Sequence, residues 1–189
     1  MTARSVMFAI AALLASGIAA AHTGTGLGAG FGSGLLHPIV GWDHLLAAVA
    51  VGLWAARHPS RTALMLPLVF LGAMTTGIVL GLGGAMLPGA EPAILGSLIV
   101  FGGALVLKRR IPAGLAAAVL ALFAVFHGNA HGAEMPIAAR LFTYGSGLLL
   151  ATAILHGTGI LAGRLAHPLV LRWVGVAIGS VGLWMLAAG

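Results

Sequence analysis

The chain alternates between long apolar runs and short breaks that contain Gly, Pro or charged residues. Most runs approach the roughly 20 residues that an α-helix needs to cross the hydrocarbon core of a bilayer. They lack the in–out alternation of a transmembrane barrel. We predict an all-α polytopic membrane protein with about six transmembrane helices after an N-terminal signal-like segment. The helices are expected at residues 37–56, 62–82, 92–107, 112–131, 138–162 and 168–187.

The N-terminal segment has the pattern of a secretory signal, because Arg4 precedes a short apolar run that ends in small residues,. We predict a cleavable signal peptide over residues 1–21, with an uncleaved first helix as the alternative. Cleavage leaves His22 at the mature N-terminus, where its imidazole and the free amine are a candidate metal-binding pair. Residues 22–36 are rich in Gly, Ser and Thr and predict a flexible periplasmic segment,. Residues 37–189 then form a six-helix transmembrane domain.

Composition and charge support a membrane location. The 189 residues are 60% hydrophobic and only 6% charged, which suits lipid as the natural solvent. The net charge of +6 then reports orientation rather than a nucleic-acid partner,. The cations at the junctions after the first, third and fifth predicted helices all face one side, predicted to be cytoplasmic. We expect the bacterial inner membrane, with both mature termini in the periplasm. These cations are Arg57, Arg61, Lys108, Arg109, Arg110, Arg164 and Arg172.

Histidines and carboxylates stand out among the polar residues. The chain has 8 His, 3 acidic residues and no Cys, so thiolate metal sites are excluded and imidazole and carboxylate remain as ligands. Asp43 and His44 lie a turn or two inside the first predicted helix, where an aspartate costs about 2.5–3.5 kcal/mol. They either bind an ion or hydrogen-bond between helices.

His37 lies on the same predicted helix as this pair. In a continuous helix His37 and His44 share a face but lie roughly 10 Å apart along the axis, too far to share one ion. Two arrangements remain: the helix breaks near Gly41, or His37 belongs to an outer site and Asp43 and His44 to a deeper one. We favour the second arrangement.

A second polar cluster ends the fourth predicted helix. His127, His131 and Glu134 follow the i, i+4, i+7 spacing of one helix face,. The two imidazoles lie about 6 Å apart along the axis and can bind one ion together. Zinc proteases use the same histidine spacing, but their glutamate is displaced here. Incidental interfacial histidines are the alternative interpretation.

The remaining polar residues carry weaker predictions. His156, in the fifth predicted helix, is either an exit ligand for the ion or a hydrogen-bonding partner between helices. His58 and His167 lie beside Arg and Pro in loops and are expected to be solvated. Glu91 opens the third helix and is expected to stabilise its N-terminus. Glycines four residues apart predict close helix packing. They are Gly77/Gly81, Gly128/Gly132, Gly159/Gly163 and Gly175/Gly179.

Two motifs resemble those of the HupE/UreJ family. The first is residues 37–47, HPIVGWDHLLA, and the second is residues 126–134, FHGNAHGAE. The resemblance extends over the signal-like start and the six-helix layout. It implies a nickel or cobalt permease that accompanies urease or hydrogenase, closer to the urease-associated branch. Ala48, where the family often has Met, and Asn129, where it often has a larger residue or His, depart from the pattern, but neither replaces a proposed ligand.

The residues and the resemblance together predict channel-like or secondary transport of Ni²⁺, or alternatively Co²⁺, across the inner membrane into the cytoplasm, to supply a nickel enzyme such as urease. Nitrogen and oxygen donors alone also suit Zn²⁺ and Mn²⁺. The ion is the substrate, and no cofactor is expected. The expected metal ligands, from the periplasmic mouth inward, are His22, His37, Glu134, His127, His131, Asp43, His44 and His156.

The chain has no nucleotide-binding loop and hence no ATP-driven motor of its own,. The expected partners are a divalent transition-metal ion and the lipid bilayer, with an indirect link to cytoplasmic urease or hydrogenase maturation proteins and no nucleic acid. The chain is not expected to be an enzyme. Two alternatives remain open: a membrane metallohydrolase with a His-bound Zn²⁺, and a metal-binding membrane accessory protein that does not transport.

Overall fold

A computed structural model describes residues 30–107, 110–135 and 141–188. These ranges contain helices and no strands, which confirms the predicted all-α class. The predicted signal peptide, over residues 1–21, and His22 lie outside the described residues, as do Lys108 and Arg109. The helices are α1 Phe31–Val40, α2 Trp42–Ala55, α3 Ser60–Leu82, α4 Ala90–Val106, α5 Ala113–Glu134, α6 Leu141–Leu165 and α7 Pro168–Ala188.

Within the described residues, α3, α5, α6 and α7 are long and apolar enough to cross a membrane. The bent pair α1 and α2 counts as a fifth candidate when it is taken as one span. Helix α4 is also an apolar helix but has only 17 residues, a length of roughly 25 Å. This layout is consistent with about six spans, so the protein is a multi-pass helical membrane protein.

The first predicted helix is broken at Gly41. There α1 and α2 meet at a bend of 84°, and Gly41 has an extended backbone with φ −78° and ψ 110°. Glycine is a poor helix former, so the helix stops there at little cost. The continuous helix expected over residues 37–56 is therefore wrong. It is replaced by two helices whose axes are nearly perpendicular.

Helix α1 begins at Phe31, so residues 31–36 of the segment expected to be flexible are helical. They are ordered by close contact with α6. The Cα of Gly34 faces the backbone of Tyr144, and Gly147 faces the backbone of Phe31, with no room for a side chain at either glycine. Glycine makes this close backbone contact possible, and the same Gly-rich composition is what suggested a flexible segment.

The predicted close packing of glycines is confirmed in three helix pairs. A Cβ atom at Gly128 would overlap the carbonyl group of Met74, and one at Gly77 would overlap the carbonyl oxygen of Val125. Close approach of two backbones increases their van der Waals contact, which drives helix association in lipid. The pairs are α3 with α5 at Gly77, Gly81, Gly128 and Gly132, α2 with α6 at Gly52, Gly159 and Gly163, and α4 with α7 at Gly102, Gly175 and Gly182.

Arginines gather at one end of the bundle, around the C-terminus of α4. Arg57 donates to the carbonyl oxygen of Leu107 at 2.6 Å, and Arg172 donates to that of Val106 at 3.2 Å. Such terminal carbonyls have no partner inside the helix. Burial, together with the charges of Arg110 and Arg172, lowers the pKa of Arg57 from its usual value. Because the helices alternate in direction, the histidine motifs of α2 and α5 lie toward the opposite end.

His58 is buried at 7% exposure, so the expectation of a solvated loop histidine is wrong. Its Nε2 donates to the carbonyl oxygen of Ile111 at 2.9 Å, because a carbonyl can only accept,. The segment that leads into α5 covers the ring, a tertiary contact that its neighbours in sequence do not reveal. His167 is exposed, and its Nδ1 accepts the N–H of Leu169 at the start of α7. Glu91 lies exposed in the first turn of α4, as expected.

Candidate metal site

The bend at Gly41 brings His37 back toward His44. His37, His44 and His131 each offer one ligand atom, and these three atoms lie within 4.8 Å of one another. Nitrogens that share an ion at about 2 Å lie roughly 3–4 Å apart, so small rotations complete the geometry. The preference for separate sites, with His37 and His44 too distant to share an ion, is therefore wrong. The other arrangement, a break near Gly41, is the one that the structure has.

We call these three histidines the outer triad. Their exposed fraction decreases from His37 through His44 to His131. The ring centroids of His44 and His131 lie 4.3 Å apart, and those of His37 and His131 lie 4.9 Å apart. The side chain of His37 is 23% exposed and that of His44 is 12% exposed, whereas His131 is only 2% exposed. An ion bound here therefore contacts the surface on one side and the protein core on the other.

Two carboxylates flank the outer triad. Oε2 of Glu134 lies 3.9 Å from Nε2 of His37, and Oδ2 of Asp43 lies 3.9 Å from Nε2 of His44. These distances exceed hydrogen-bonding range but allow strong attraction of a cation in the same place. The side chain of Glu134 is 44% exposed and that of Asp43 is 25% exposed, so Glu134 is the more accessible of the two carboxylates. Asp43 lies in the first turn of α2, where the helix dipole also favours its negative charge,.

His127 lies one turn deeper on α5 than His131. Its Nδ1 donates to the carbonyl oxygen of Phe123 at 2.9 Å, which leaves the lone pair on Nε2 in a neutral ring. That Nε2 is buried and has no hydrogen-bond partner in the described structure. A backbone carbonyl on the far nitrogen is a common way to orient a metal-binding histidine. The ring of His127 lies 5.6 Å from that of His44. His127 is not one of the three histidines of the outer triad, and an ion shared by His127 and His131 stays a prediction.

A small cavity adjoins the outer triad on its inner side. Its volume of about 10 Å³ is close to the minimum for one water-sized particle,. Sequence reasoning missed Phe70, Met74 and Thr152 as site residues, because apolar residues and a lone threonine give no signal in a hydrophobic helix. The cavity is lined by Pro38, His44, Ala48, Phe70, Met74, His127, His131 and Thr152.

Asn129, one of the two departures from the family pattern, has a structural role. It is fully buried. Its Nδ2 donates to the carbonyl oxygen of Ala85 at 2.7 Å, and its Oδ1 accepts the N–H of Leu87 at 2.9 Å. These two bonds hold the α3–α4 loop against α5. Asn129 does not line the cavity beside the outer triad.

His156 is only 1% exposed, and neither of its ring nitrogens has a hydrogen-bond partner in the described structure. The alternative interpretation of His156 was a hydrogen bond between helices. The described structure contains no such bond. Its ring lies 5.1 Å from the ring of Phe70, which in turn lies 5.8 Å from that of His127. Phe70 thus contacts both histidines, and the buried polar groups continue past the outer triad.

The fold and this site define a multi-pass helical membrane protein with a cluster of histidines buried near one end of its bundle. The sequence model of the HupE/UreJ protein family matches residues 10–185. The chain is also 38% identical over 181 residues to Protein HupE of Rhizobium leguminosarum bv. viciae, a match that covers 94% of each chain. The protein belongs to the HupE/UreJ family. No solved structure gives a significant match.

Proposed function

We propose that the protein transports Ni²⁺, with Co²⁺ as the second candidate, across the bacterial inner membrane into the cytoplasm. The observation that carries this proposal is the outer triad, three imidazoles with ligand atoms within 4.8 Å of one another. Imidazole suits nickel, cobalt and zinc, and the absence of cysteine disfavours ions that prefer thiolate,. Membership of the HupE/UreJ family supports a metal substrate rather than an organic one.

The ion is first attracted by Glu134 and His37 and is then bound by His44 and His131. Arginines at the far end of the bundle support a cytoplasmic location for that end, since cytoplasmic loops are enriched in cations. The histidine end and both mature termini then face the periplasm. An inside-negative potential of about 100 mV supplies about 4.6 kcal/mol to a dication, a preference of more than a thousandfold for uptake. A channel-like or secondary mechanism is sufficient.

The metallohydrolase alternative fits the described residues less well. A hydrolase needs an open ligand position beside a cleft that admits its substrate, and the cavity at the triad has a volume of about 10 Å³. That volume suits a bare or nearly bare ion. Supply of nickel to urease or hydrogenase maturation proteins remains the proposed downstream role.

Uptake of radioactive nickel into proteoliposomes with an inside-negative potential tests the proposal. We expect His131→Gln to lower the initial rate by roughly tenfold or more, the scale of loss seen when a metal site is disturbed. His167→Gln, a change at an exposed loop histidine, should leave the rate unchanged. Nickel binding by the purified protein without any flux above that of empty liposomes would favour the non-transporting accessory protein and overturn transport.

A further inference from the structure

The buried imidazole of His156 has no role in the outer triad. Both of its nitrogens lack hydrogen-bond partners in the described structure, although the residue is 1% exposed. A buried polar group without a partner has lost its hydration without a compensating hydrogen bond, and such a group in a native protein calls for a specific explanation, such as an ion. Two unsatisfied nitrogens on one ring are therefore a costly feature for a residue that only fills space.

Thr152 lies one helical turn before His156 on the same face of α6,. Its hydroxyl donates to the carbonyl oxygen of Leu148 at 2.9 Å, so the oxygen keeps lone pairs that can accept or coordinate. The hydroxyl-bearing side chain is 3% exposed and lines the cavity next to the outer triad. An ion in the cavity therefore reaches Thr152 before it reaches His156.

His127 approaches the same region from α5. Its Nε2 is buried without a hydrogen-bond partner, and its other nitrogen is held by the carbonyl of Phe123. The ring of Phe70 lies edge-on to both His127 and His156, with interplanar angles of 62° and 88°. An aromatic ring in this place keeps water out and can stabilise a nearby cation.

The position of His156 along α6 separates it from the triad. Tyr144 contacts the ring of His37 at 5.9 Å, and His156 follows three helical turns later, roughly 18 Å further along the axis. The direction is toward the arginine end of the bundle. His156 therefore lies much deeper than the residues that first receive the ion.

We propose that His127, Thr152 and His156 form a second, inner position for a divalent transition-metal ion, separate from the outer triad. Two imidazole nitrogens and one hydroxyl oxygen come from two helices, and the ion keeps water in its other coordination positions. His127 and Thr152 line the cavity together with His44 and His131, and His156 lies one helical turn beyond Thr152 on α6. This proposal rests on the proposed function and adds a second binding position along the transport path.

The number of bound ions tests the inner position. The protein is purified through a tag without histidine and carries His22→Ala, which removes the imidazole of the predicted N-terminal metal-binding pair. It is then dialysed against radioactive nickel in lipid nanodiscs. We expect two ions per chain in this background and one in the His156→Leu variant. Thr152→Val should weaken the binding of one of the two ions by roughly tenfold. Thr158→Val, at an exposed threonine of the same helix with a similar backbone bond, should change nothing.

A purely structural role for His156 makes the opposite prediction. His156→Leu would then remove two unsatisfied nitrogens and raise the thermal midpoint, with the number of ions unchanged. One ion in the parent protein, with no effect of His156→Leu on binding or uptake, would overturn the inner position and leave the proposed function standing. Absence of both nickel binding and nickel uptake in the parent protein would overturn both proposals.

Discussion

The imidazole rings of His44 and His131 lie 4.3 Å apart between centroids, although His44 lies in the first turn of α2 and His131 in the last turn of α5. Neither helix can complete the ligand set alone. The outer triad forms only when α1, α2 and α5 are packed together, so metal affinity at this place also reports correct assembly of the bundle.

Substitution of either residue should therefore have non-additive effects on nickel binding. We expect His44→Gln and His131→Gln each to weaken nickel binding at the outer triad by roughly tenfold or more. The double variant should be little worse than either single variant, because the first change already removes the shared ion. Isothermal titration calorimetry measures the nickel affinity of the parent protein, the two single variants and the double variant. Strictly additive losses would contradict a shared ion.

Gly41→Ala should weaken nickel binding without unfolding the protein. A Cβ atom at Gly41 would lie 3.0 Å from Cδ2 of His44 and 3.1 Å from Oδ1 of Asp43, so these groups must move. Alanine also favours a continuous helix by about 1 kcal/mol, which would draw His37 away from His44. Gly32→Ala, at an α1 glycine with open space around it, is the control. Equal nickel affinity in the two variants would contradict a requirement for the bend.

Gly128→Ala should destabilise the bundle. The added Cβ would overlap the carbonyl group of Met74, and separating α3 from α5 should cost about 1–3 kcal/mol, the usual range for overpacking. Gly72→Ala adds the same methyl group to α3 where nothing lies within 4 Å and should be neutral. Thermal unfolding in detergent compares the two variants, and similar midpoints would show that the close approach is dispensable.

Asn129→Leu should loosen the α3–α4 loop. It removes both the acceptor for the N–H of Leu87 and the donor to the carbonyl of Ala85, at about 1–3 kcal/mol for the groups left unsatisfied. Hydrogen exchange at Leu87 should become faster. Asn129→Asp keeps the oxygen that accepts from Leu87 but loses the donor to Ala85, so exchange at Leu87 should be slower than in Asn129→Leu. Unchanged exchange in Asn129→Leu would mean that other contacts hold the loop.

The orientation of the bundle can be measured because the chain has no cysteine. Met86, in the α3–α4 loop, and Ser60, at the start of α3, are both exposed and lie at opposite ends of that helix. We expect Met86→Cys to react with a membrane-impermeant thiol reagent added to intact spheroplasts, and Ser60→Cys to react only after lysis. The reverse pattern would place the histidine end in the cytoplasm.

The sequence predicted the helices and the residues of the triad but not their arrangement. Hydropathy is local, so it located the spans closely, and the i, i+4 spacing correctly put His127 and His131 on α5. The distance between His37 and His44 was wrong because it assumed a continuous helix through Gly41. The roles of Phe70 and His58 depend on contacts between distant helices, which no local pattern contains.

The glycine contacts divide the ligands between two tightly joined helix pairs. Helix α2, which with α1 carries His37 and His44, is joined to α6, whereas α5, which carries His131, is joined to α3. A shear of one pair past the other would leave each pair intact and yet separate the imidazoles of His44 and His131. Such sliding would reduce the number of ligands on a bound ion without breaking a single helix, so release of an ion from the proposed site would require no unfolding.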